Sequence, residues 1–373
     1  MKNIGFLLFI ILFLGGLLSY VIIRGYQSLS EFRVIKLTYA ISFVAFFALL
    51  ITTLMYADTL HNKFANILYF VSYTFFILLA YLYLLFIIVD IFRIVNHFFI
   101  HIPKESMLVI RLWSMIVGLI IITTTLIIGN YRFNHPQVVR LEIKSNKPLQ
   151  NKRLKIVAAS DIHLGHYINK DKFDKYVSLI NAQEPDIVLF AGDIFDRNLQ
   201  PVLDQGMDEE FLKIKSRLGV YAVSGNHDYY GGNKHRNFDF LTKSGVKILL
   251  DSTALIDNSL YIIGREDRTN TRRKPLNEII SGINPNLPSI LLDHQPYMLE
   301  EAEKHNIDLQ ISGHTHNGQF FPINIIEKKM YELSYGFMKR GNTSYYVSSG
   351  LGIWGPEYRI GSQSEILVVE FSY

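Results

Sequence analysis

The chain has 373 residues, of which 49% are hydrophobic and 19% are charged, and its formal net charge is +4 at pH 7. It contains no cysteine, which excludes disulfides, thiolate metal sites and cysteine nucleophiles. The small positive charge gives no indication of nucleic-acid binding. A chain of this length predicts two or three domains. Any metal ion would have to be held by His, Asp, Glu or Asn side chains.

The first third of the chain contains four stretches that carry no charged residue over lengths able to span a bilayer. They are residues 4–23, 37–57, 64–89 and 112–131. The first stretch could instead be a cleaved signal peptide, but it is long for one and no small-x-small cleavage site stands out. We therefore expect residues 1–131 to form a transmembrane region of four helices in a multi-pass membrane protein.

The positive charges between these stretches predict their orientation. The basic residues of the first and third loops are Arg24, Arg33, Lys36, Arg93, Lys104 and Arg111. This bias places both loops in the cytoplasm and the rest of the chain outside, although the basic stretch just after residue 131 opposes it. The middle of each stretch holds no ionisable residue, whereas transporters usually keep one at membrane depth.

After residue 131 short apolar runs alternate with longer, charged stretches. We expect a linker and edge strand at 132–152 and a second domain at 153–373. Nine runs predict strands, at 138–143, 154–160, 186–192, 219–225, 259–264, 289–294, 308–313, 344–350 and 365–372. Four amphipathic stretches predict helices, at 170–183, 208–218, 236–245 and 296–305. The alternation favours an α/β domain with a largely parallel sheet.

Polar side chains follow five of the predicted strands, at the edge where open α/β sheets bind ligands. The candidates are Asp161, His163, Asp193, Asp196, Asn226, His227, Asp228, His294, His314 and His316. Both i, i+2 pairs, 161/163 and 314/316, would point to one side in extended backbone. Each residue alone could be a turn, cap or solvated group, but their repetition at five strand ends predicts one site.

Oxygen and imidazole donors without thiolate favour Mn, Fe or Zn over Mg and Ca. Seven of these ten side chains, assigned below, are candidate metal ligands. Seven ligands exceed what one ion takes, so two divalent ions are implied, with Mn favoured. Two such ions can share a carboxylate, bind a hydroxide between them and clamp both oxygens of an in-line displacement at phosphorus. The pattern therefore predicts a binuclear centre for phosphoryl chemistry, in which His314 and His316 face different ions.

Five blocks of this sequence, in order, resemble the calcineurin-like metallophosphoesterases. They are DIH (161–163), GDIFD (192–196), GNHD (225–228), LLDHQP (291–296) and GHTHNGQ (313–319). The resemblance covers about residues 150–373 and is closest to a bacterial branch whose catalytic domain follows a membrane segment or export signal. It implies a four-layer αββα sandwich with a two-metal centre.

The resemblance also implies a role for each residue. One metal would take Asp161, His163 and His316, the other would take Asn226, His294 and His314, and Asp193 would bridge them. His227 would be the catalytic histidine, and Asp228 would orient its imidazole. Asp196 is assigned to loop stabilisation. Asn317 stands where this branch often has glycine.

We expect a membrane-anchored phosphoesterase that hydrolyses a phosphodiester, phosphomonoester or pyrophosphate bond. Because an anchored enzyme reaches substrates near the bilayer, phospholipids and other lipid-linked or envelope phosphates rank above soluble nucleotides. The loop at 264–274 has five basic residues and could bind a second phosphate or be solvated. No nucleic-acid partner is expected, and the sequence identifies no protein partner. Two alternatives stay open: a non-catalytic scaffold on this fold, and a membrane sensor or transporter with a regulatory phosphoesterase-like domain.

Overall fold

The computed structural model describes residues 4–56, 63–150, 153–230 and 234–373, without the side chains at 4, 6–11 and 63–65. Residue 57 of the second predicted span and residues 151–152 of the predicted linker lie outside this part. The chain divides into two compact units, Met1–Ile128 and Gly129–Tyr373.

Four long helices are described in the N-terminal region. They are α1 (Ile4–Ser28), α2 (Arg33–Tyr56), α3 (Lys63–Val95) and α4 (Lys104–Asn134). Among the described residues, three helical stretches are long and apolar enough to cross a membrane: Arg33–Tyr56, Asn66–Ile100 and Lys104–Asn134. The segment of the first predicted span is helical but is not one of the three, so its crossing of a membrane stays a prediction.

The connection from α3 to α4 has a defined shape. A short π-helix, Asn96–Ile100, continues α3 and ends at His101, whose backbone is left-handed with φ 62°. The Asn96 side chain accepts a hydrogen bond from the backbone N–H of Ile102 at 2.8 Å. The turn is therefore held by its own side chain.

The second unit contains two six-stranded sheets. Its strands are β1 (Gln137–Lys144), β2 (Arg153–Ala159), β3 (Ile187–Phe190), β4 (Val220–Ala222), β5 (Val246–Ile248), β6 (Ser252–Ile256), β7 (Leu260–Gly264), β8 (Ser289–Leu292), β9 (Leu309–Ser312), β10 (Gly336–Arg340), β11 (Thr343–Val347) and β12 (Glu365–Ser372). The order is β1-β12-β2-β3-β4-β5 in sheet one and β10-β11-β9-β8-β7-β6 in sheet two. Neighbours run parallel except β12–β2, β10–β11 and β6–β7. The expected mixed α/β architecture is thus present.

Three strands were not predicted from the sequence, and each has a weak pattern. Strand β5 has only three residues, and β6 and β10 pair on one side only, at opposite edges of sheet two. Strand β10, with the sequence GFMKR, has no fully buried residue. Edge strands need no continuous apolar run because one side faces solvent.

Eight further helices are described in the second unit. They are α5 (Lys170–Asn181), α6 (Gln200–Asp204), α7 (Asp208–Leu212), α8 (His227–Tyr230), α9 (Lys234–Lys243), α10 (Leu276–Ile279), α11 (Glu300–Lys304) and α12 (Ile323–Met330). The predicted helices at 208–218 and 296–305 are much shorter than expected. Helix α11 starts late because Met298 is left-handed, with φ 54°, a conformation that a helix cannot include.

Both sheets contribute to one apolar core. Ile156 of β2 and Leu189 of β3 share a buried cluster with Ile262 of β7 and Ile290 of β8. Strands buried on both faces are expected where parallel sheets are covered on each side.

The opposite faces of the two sheets pack against helices. Val157 of β2 is clustered with Phe173 of α5 and Phe240 of α9, whereas Leu291 of β8 is clustered with Ala302 of α11. Sheet one and sheet two therefore each have helices on the face that points away from the shared core.

Candidate metal centre

The seven candidate ligands follow the carboxyl ends of five strands, three neighbours in sheet one and two neighbours in sheet two. Asp161 and His163 follow β2, Asp193 follows β3 and Asn226 follows β4, while His294 follows β8 and the pair 314/316 follows β9. All are buried except the half-buried His314. The fold brings all seven together, as the contacts below show.

The backbone at these residues differs from the sequence prediction. Asp161, His163, Asp193, His314 and His316 all have left-handed backbone, with φ between 50° and 72°. The argument that i, i+2 spacing in extended backbone aligns each pair was therefore wrong, because sharp left-handed turns aim these side chains. Non-glycine residues rarely adopt this region, and they cluster there at functional sites.

The first group consists of Asp161, His163 and His316. The Nε2 atoms of the two histidines lie 3.3 Å apart. Oδ1 of Asp161 lies 3.4 Å from Nε2 of His316 and 4.0 Å from Nε2 of His163. Three donor atoms from two strand ends thus surround one point.

The second group consists of Asn226, His294, His314 and Asp193. Oδ1 of Asn226 lies 2.8 Å from Nδ1 of His314 and 3.2 Å from Nε2 of His294. Oδ2 of Asp193 lies 3.2 Å from the same Nε2 of His294. Asn226 in turn donates from its amide to the Tyr230 hydroxyl at 3.1 Å, which leaves its carbonyl oxygen pointing into the group.

Asp193 lies between the two groups. Its Oδ2 is 3.2 Å from His294 in the second group and 3.9 Å from Nε2 of His163 in the first. Its Oδ1 accepts a hydrogen bond from the backbone N–H of His227 at 2.9 Å. This carboxylate therefore lies close to imidazole nitrogens of both groups.

The donors fit divalent metal ions. Two ligands on one ion, each with a bond of about 2.1 Å, lie roughly 3.0–4.2 Å apart at angles between 90° and 180°. The contacts above fall close to this range. In addition, Nδ1 of His163 and Nδ1 of His316 are buried and have no hydrogen-bond partner among the described residues. The atoms that converge are the Nε2 atoms of these two imidazoles and Oδ1 of Asp161.

The electrostatics favour most of the ligands in their metal-binding forms. Burial, with His227 nearby, lowers the pKa of His163 to about 4, and burial and His163 lower the pKa of His316 well below its usual range. Burial alone would raise the pKa of Asp193, but His294 and the other imidazoles hold it low. Burial would likewise lower the pKa of His294, yet the Asp193 carboxylate raises it strongly. A metal would therefore displace a proton from His294.

The structure contradicts the predicted pairing of His227 with Asp228. Nδ1 of His227 lies 3.1 Å from Oδ1 of Asp196 and contacts the Asp196 carbonyl oxygen as well. The Asp228 carboxylate instead accepts hydrogen bonds from the Gly225 N–H at 2.9 Å and the Asn237 amide at 3.3 Å. Adjacency in the chain did not predict the pairing because the Asp228 carboxylate is directed at Gly225 and Asn237.

The surroundings of His227 and Asp228 raise the pKa of each group for a different reason. Burial alone would lower the pKa of His227, but its hydrogen bond to Asp196 and the nearby Asp193 raise it. Burial raises the pKa of Asp228 to about 7. Asp196 thus orients the imidazole and favours its protonated form, while Asp228 accepts a hydrogen bond in the turn that precedes Asn226.

Arg359 supports the site and was not identified from the sequence. It is fully buried and donates to the carbonyl oxygens of His316 at 3.1 Å, Ser349 at 2.5 Å and Gly350 at 3.0 Å, and also to that of Gly352. Burial lowers the pKa of its guanidinium to about 10, so it stays charged at neutral pH. The only sequence signal is one arginine in an otherwise apolar, glycine-rich stretch.

The basic loop at 264–274 is divided between two roles. Arg265 and Arg273 lie 3.2 and 3.1 Å from the buried Asp293 carboxylate, so they neutralise an interior acid. Arg268 instead stacks over the Tyr297 ring at 4.1 Å, and the rings of Tyr297 and Tyr331 are 4.9 Å apart. Only part of the loop is therefore solvated or free to meet a ligand.

The fold has two mixed sheets, and His, Asp and Asn side chains converge where the strands of both sheets end. This arrangement is typical of metal-dependent hydrolases. Residues 154–318 match the family model of the calcineurin-like phosphoesterases. A Campylobacter jejuni protein named as an uncharacterized metallophosphoesterase is 31% identical over 270 residues, which cover 68% of each chain. The chain belongs to the calcineurin-like metallophosphoesterase family, whose members are metal-dependent phosphoester hydrolases.

Two further comparisons concern a membrane relative and a solved structure. A zebrafish protein named as a transmembrane protein with metallophosphoesterase domain is 33% identical over 247 residues, 62% of this chain. This chain spans 56% of that relative's length. The solved NAD nucleotidase of Haemophilus influenzae is 17% identical, with a TM-score of 0.36, over 54% of this chain and 46% of that one. The three apolar helices and the relative's name support a membrane protein.

Proposed function

We propose that the protein is a membrane-anchored phosphoesterase that uses two divalent ions to hydrolyse a phosphodiester, phosphomonoester or pyrophosphate bond. The observation that carries this proposal is the position of Asp193 between two groups of donors. A non-catalytic scaffold would not need a complete ligand set, and here all seven positions and His227 are filled.

The proposed assignment of ligands follows the two groups. Asp161, His163 and His316 would hold one ion, and Asn226, His294 and His314 would hold the other, with Asp193 shared. The imidazole and oxygen donors suit Mn, Fe or Zn, and Mn²⁺ is the first ion to test. When bound, such a pair would activate the attacking water and stabilise the charge on the phosphoryl oxygens.

His227 is the proposed catalytic residue in the protein itself. Its Nδ1 is held by Asp196, so Nε2 is the nitrogen available to a substrate. From there the imidazolium would stabilise the phosphoryl charge or donate a proton to the leaving oxygen. Asp228 would act on the Gly225 turn and not on the imidazole.

The finer architecture is also proposed. The shared core between the sheets, with helices on both outer faces, supports a four-layer αββα sandwich. Four helices of membrane length would anchor it, if Ile4–Ser28 crosses the bilayer along with the three apolar stretches. The basic first and third loops would then be cytoplasmic and the phosphoesterase domain extracytoplasmic.

Helix α12 supports a lipid-linked substrate. It has no buried residue, and Ile323, Ile326 and Met330, on one face at i, i+3 and i+7, are 44%, 55% and 62% exposed. An exposed apolar helix face with lysines in its last turn is typical of a helix that lies in a bilayer interface. Tyr331 follows α12 directly, and its ring centre lies 6.4 Å from that of His314. The C-terminal end of the helix therefore lies near the candidate metal centre.

The test is hydrolysis of bis-p-nitrophenyl phosphate by the full chain in detergent, stripped with chelator and reloaded with Mn²⁺. We expect turnover that depends on the ion and is lost in Asp193→Asn. A folded protein that binds the ions but turns over neither this diester nor p-nitrophenyl phosphate, with Mn²⁺, Fe²⁺ or Zn²⁺, would favour the scaffold.

A further inference from the structure

A basic cavity lies within the first unit. Its volume is about 650 Å³, and it is formed by the C-terminal parts of α1 and α3, the π-turn after α3 and the start of α4. Its lining includes Arg24, Arg93, Lys104 and Arg111, and the one carboxylate among the described lining residues is Asp90. These five side chains together carry an excess of three positive charges.

Asp90 forms ion pairs with two of these four cations, Arg24 and Arg93. Oδ2 of Asp90 lies 2.7 Å from Arg24, and Oδ1 lies 2.8 Å from Arg93. Arg111 donates a 3.2 Å hydrogen bond to the Gln27 amide oxygen, and among the described residues neither Arg111 nor Lys104 forms an ion pair. Nε of Arg24 is buried without a hydrogen-bond partner among the described residues. Like charges held together this way call for a counter-anion.

The cavity is built before any ligand arrives. Asn96 fixes the π-turn through the Ile102 N–H, and Gln27 accepts from both Arg24, at 2.9 Å, and Arg111. Two guanidiniums on different helices are thereby held near one amide oxygen. Preformed guanidinium pairs suit the oxygens of a phosphate group.

The lining is also half apolar. Ile94, Phe98, Ile102, Met107 and Leu108 lie on the same cavity as the cations. The side chains of Ile94 and Phe98 are 59% and 65% exposed. A free inorganic anion would use none of this apolar surface, whereas an amphiphile with an anionic head would use both parts.

We propose that this cavity binds the phosphate head group of an anionic phospholipid, with Arg111 and Lys104 as its main contacts. Basic pockets between membrane helices recognise such head groups, and both basic loops flank this end of the helices. The site is separate from the phosphoesterase centre, because every lining residue lies before residue 128, and it does not rest on the proposed hydrolysis.

The test measures lipid binding to the full chain in detergent, by native mass spectrometry and by thermal stabilisation. The probes are phosphatidylglycerol, zwitterionic phosphatidylcholine and inorganic phosphate. We expect phosphatidylglycerol to bind at least about tenfold more tightly than phosphatidylcholine. Arg111→Gln should weaken phosphatidylglycerol binding about tenfold, the loss expected for one charge-assisted contact.

Arg33→Gln is the matched control, since Arg33 is exposed at the start of α2 in the first basic loop but does not line the cavity. We expect it to leave binding within about twofold. Should Arg111→Gln fail to fold, Lys104→Gln serves instead, because Lys104 is exposed. Equal binding of the two lipids, or equal losses in the cavity variants and Arg33→Gln, would overturn the site. Stabilisation by inorganic phosphate as strong as by lipid would replace the lipid with a soluble anion.

Discussion

The imidazole of His227 is paired with Asp196 and not with its chain neighbour Asp228. The Nδ1–Oδ1 distance to Asp196 is 3.1 Å, whereas the Asp228 carboxylate is occupied by Gly225 and Asn237. The acid that positions the proposed catalytic group therefore comes from the loop after β3, thirty-one residues earlier in the chain.

This pairing predicts different effects for two equivalent substitutions. Asp196→Asn removes the charge that holds the imidazolium and should lower kcat about 10- to 100-fold, with metal content and KM little changed. Asp228→Asn should lower kcat only a few-fold, because its contacts are with the Gly225 N–H and the Asn237 amide and not with the imidazole. Steady-state kinetics on both metal-loaded proteins decides this. A larger loss of kcat in Asp228→Asn, at unchanged melting temperature, would contradict the assignment.

The two donor groups predict separate losses of metal. His316→Ala should reduce the ion content of the purified protein by one per chain, and Asn226→Ala should do the same through the other group. Asp193→Asn should weaken both ions, since it is the shared carboxylate. Inductively coupled plasma mass spectrometry of Mn²⁺-loaded protein measures the content. If all three variants kept the full complement, the shared-carboxylate arrangement would be wrong.

Gly225 predicts a steric test of the same centre. A Cβ at this position would lie 2.0 Å from Oδ1 and 2.4 Å from the backbone nitrogen of Asp193. Gly225→Ala should therefore displace Asp193, cost about 1–3 kcal/mol of stability and abolish metal-dependent turnover. Gly282→Ala is the control, because nothing lies within 4 Å of its Cβ position. Thermal unfolding and kinetics of the pair are compared, and similar behaviour of both would refute the close approach.

Arg359 predicts a strong dependence of stability on one buried cation. Arg359→Met removes the guanidinium that donates to the carbonyl oxygens of His316, Ser349, Gly350 and Gly352, which should cost about 3–5 kcal/mol. Arg153→Met is the control. It removes an ion pair with Glu370 in which the Arg153 side chain is 65% exposed, so it should cost less than about 1 kcal/mol. Melting temperatures of the two variants measure the difference. Equal shifts would mean that Arg359 is not a support of the site.

Helix α12 predicts a defect that depends on the substrate. Ile326→Glu should lower turnover of a phospholipid substrate in liposomes, because it places a charge on the apolar face, but leave turnover of soluble bis-p-nitrophenyl phosphate unchanged. Leu212→Glu, at a side chain of α7 that is 64% exposed, should change neither rate. If the soluble and lipid rates fell together in Ile326→Glu, the helix would be part of the catalytic structure and not a lipid contact.

The convergence of the seven candidate ligands could be predicted because each lies within a few residues of the end of a short apolar strand, and that signal is local. The parallel alternation of strands and helices was readable for the same reason. The left-handed backbone of Asp161 and His314 could not be read, because neither is glycine and nothing in the adjacent letters demands it. Asn317 shows the same limit. It adopts φ 48° and ψ 40° where the resemblance led us to expect glycine.

Contacts distant in the chain were missed. Arg359 reaches the carbonyl of His316 across forty-three residues, and Asp196 reaches His227 across thirty-one. Strand β10 was missed because its exposed edge carries Lys339 and Arg340 in place of an apolar run. Each miss concerns a residue whose role is fixed by tertiary packing and not by its neighbours in sequence.

Strand β12 lies inside sheet one, with β1 and β2 as its neighbours. Gln137 pairs with Glu365 and Lys144 with Ser372 along a register of eight residues, so the first strand of the domain has no sheet to join until the last one has been synthesised. During translation β1 therefore has no strand to pair with until β12 has been made. A stop codon shortly before Glu365 would thus remove β12 and also leave β1 without its pairing partner.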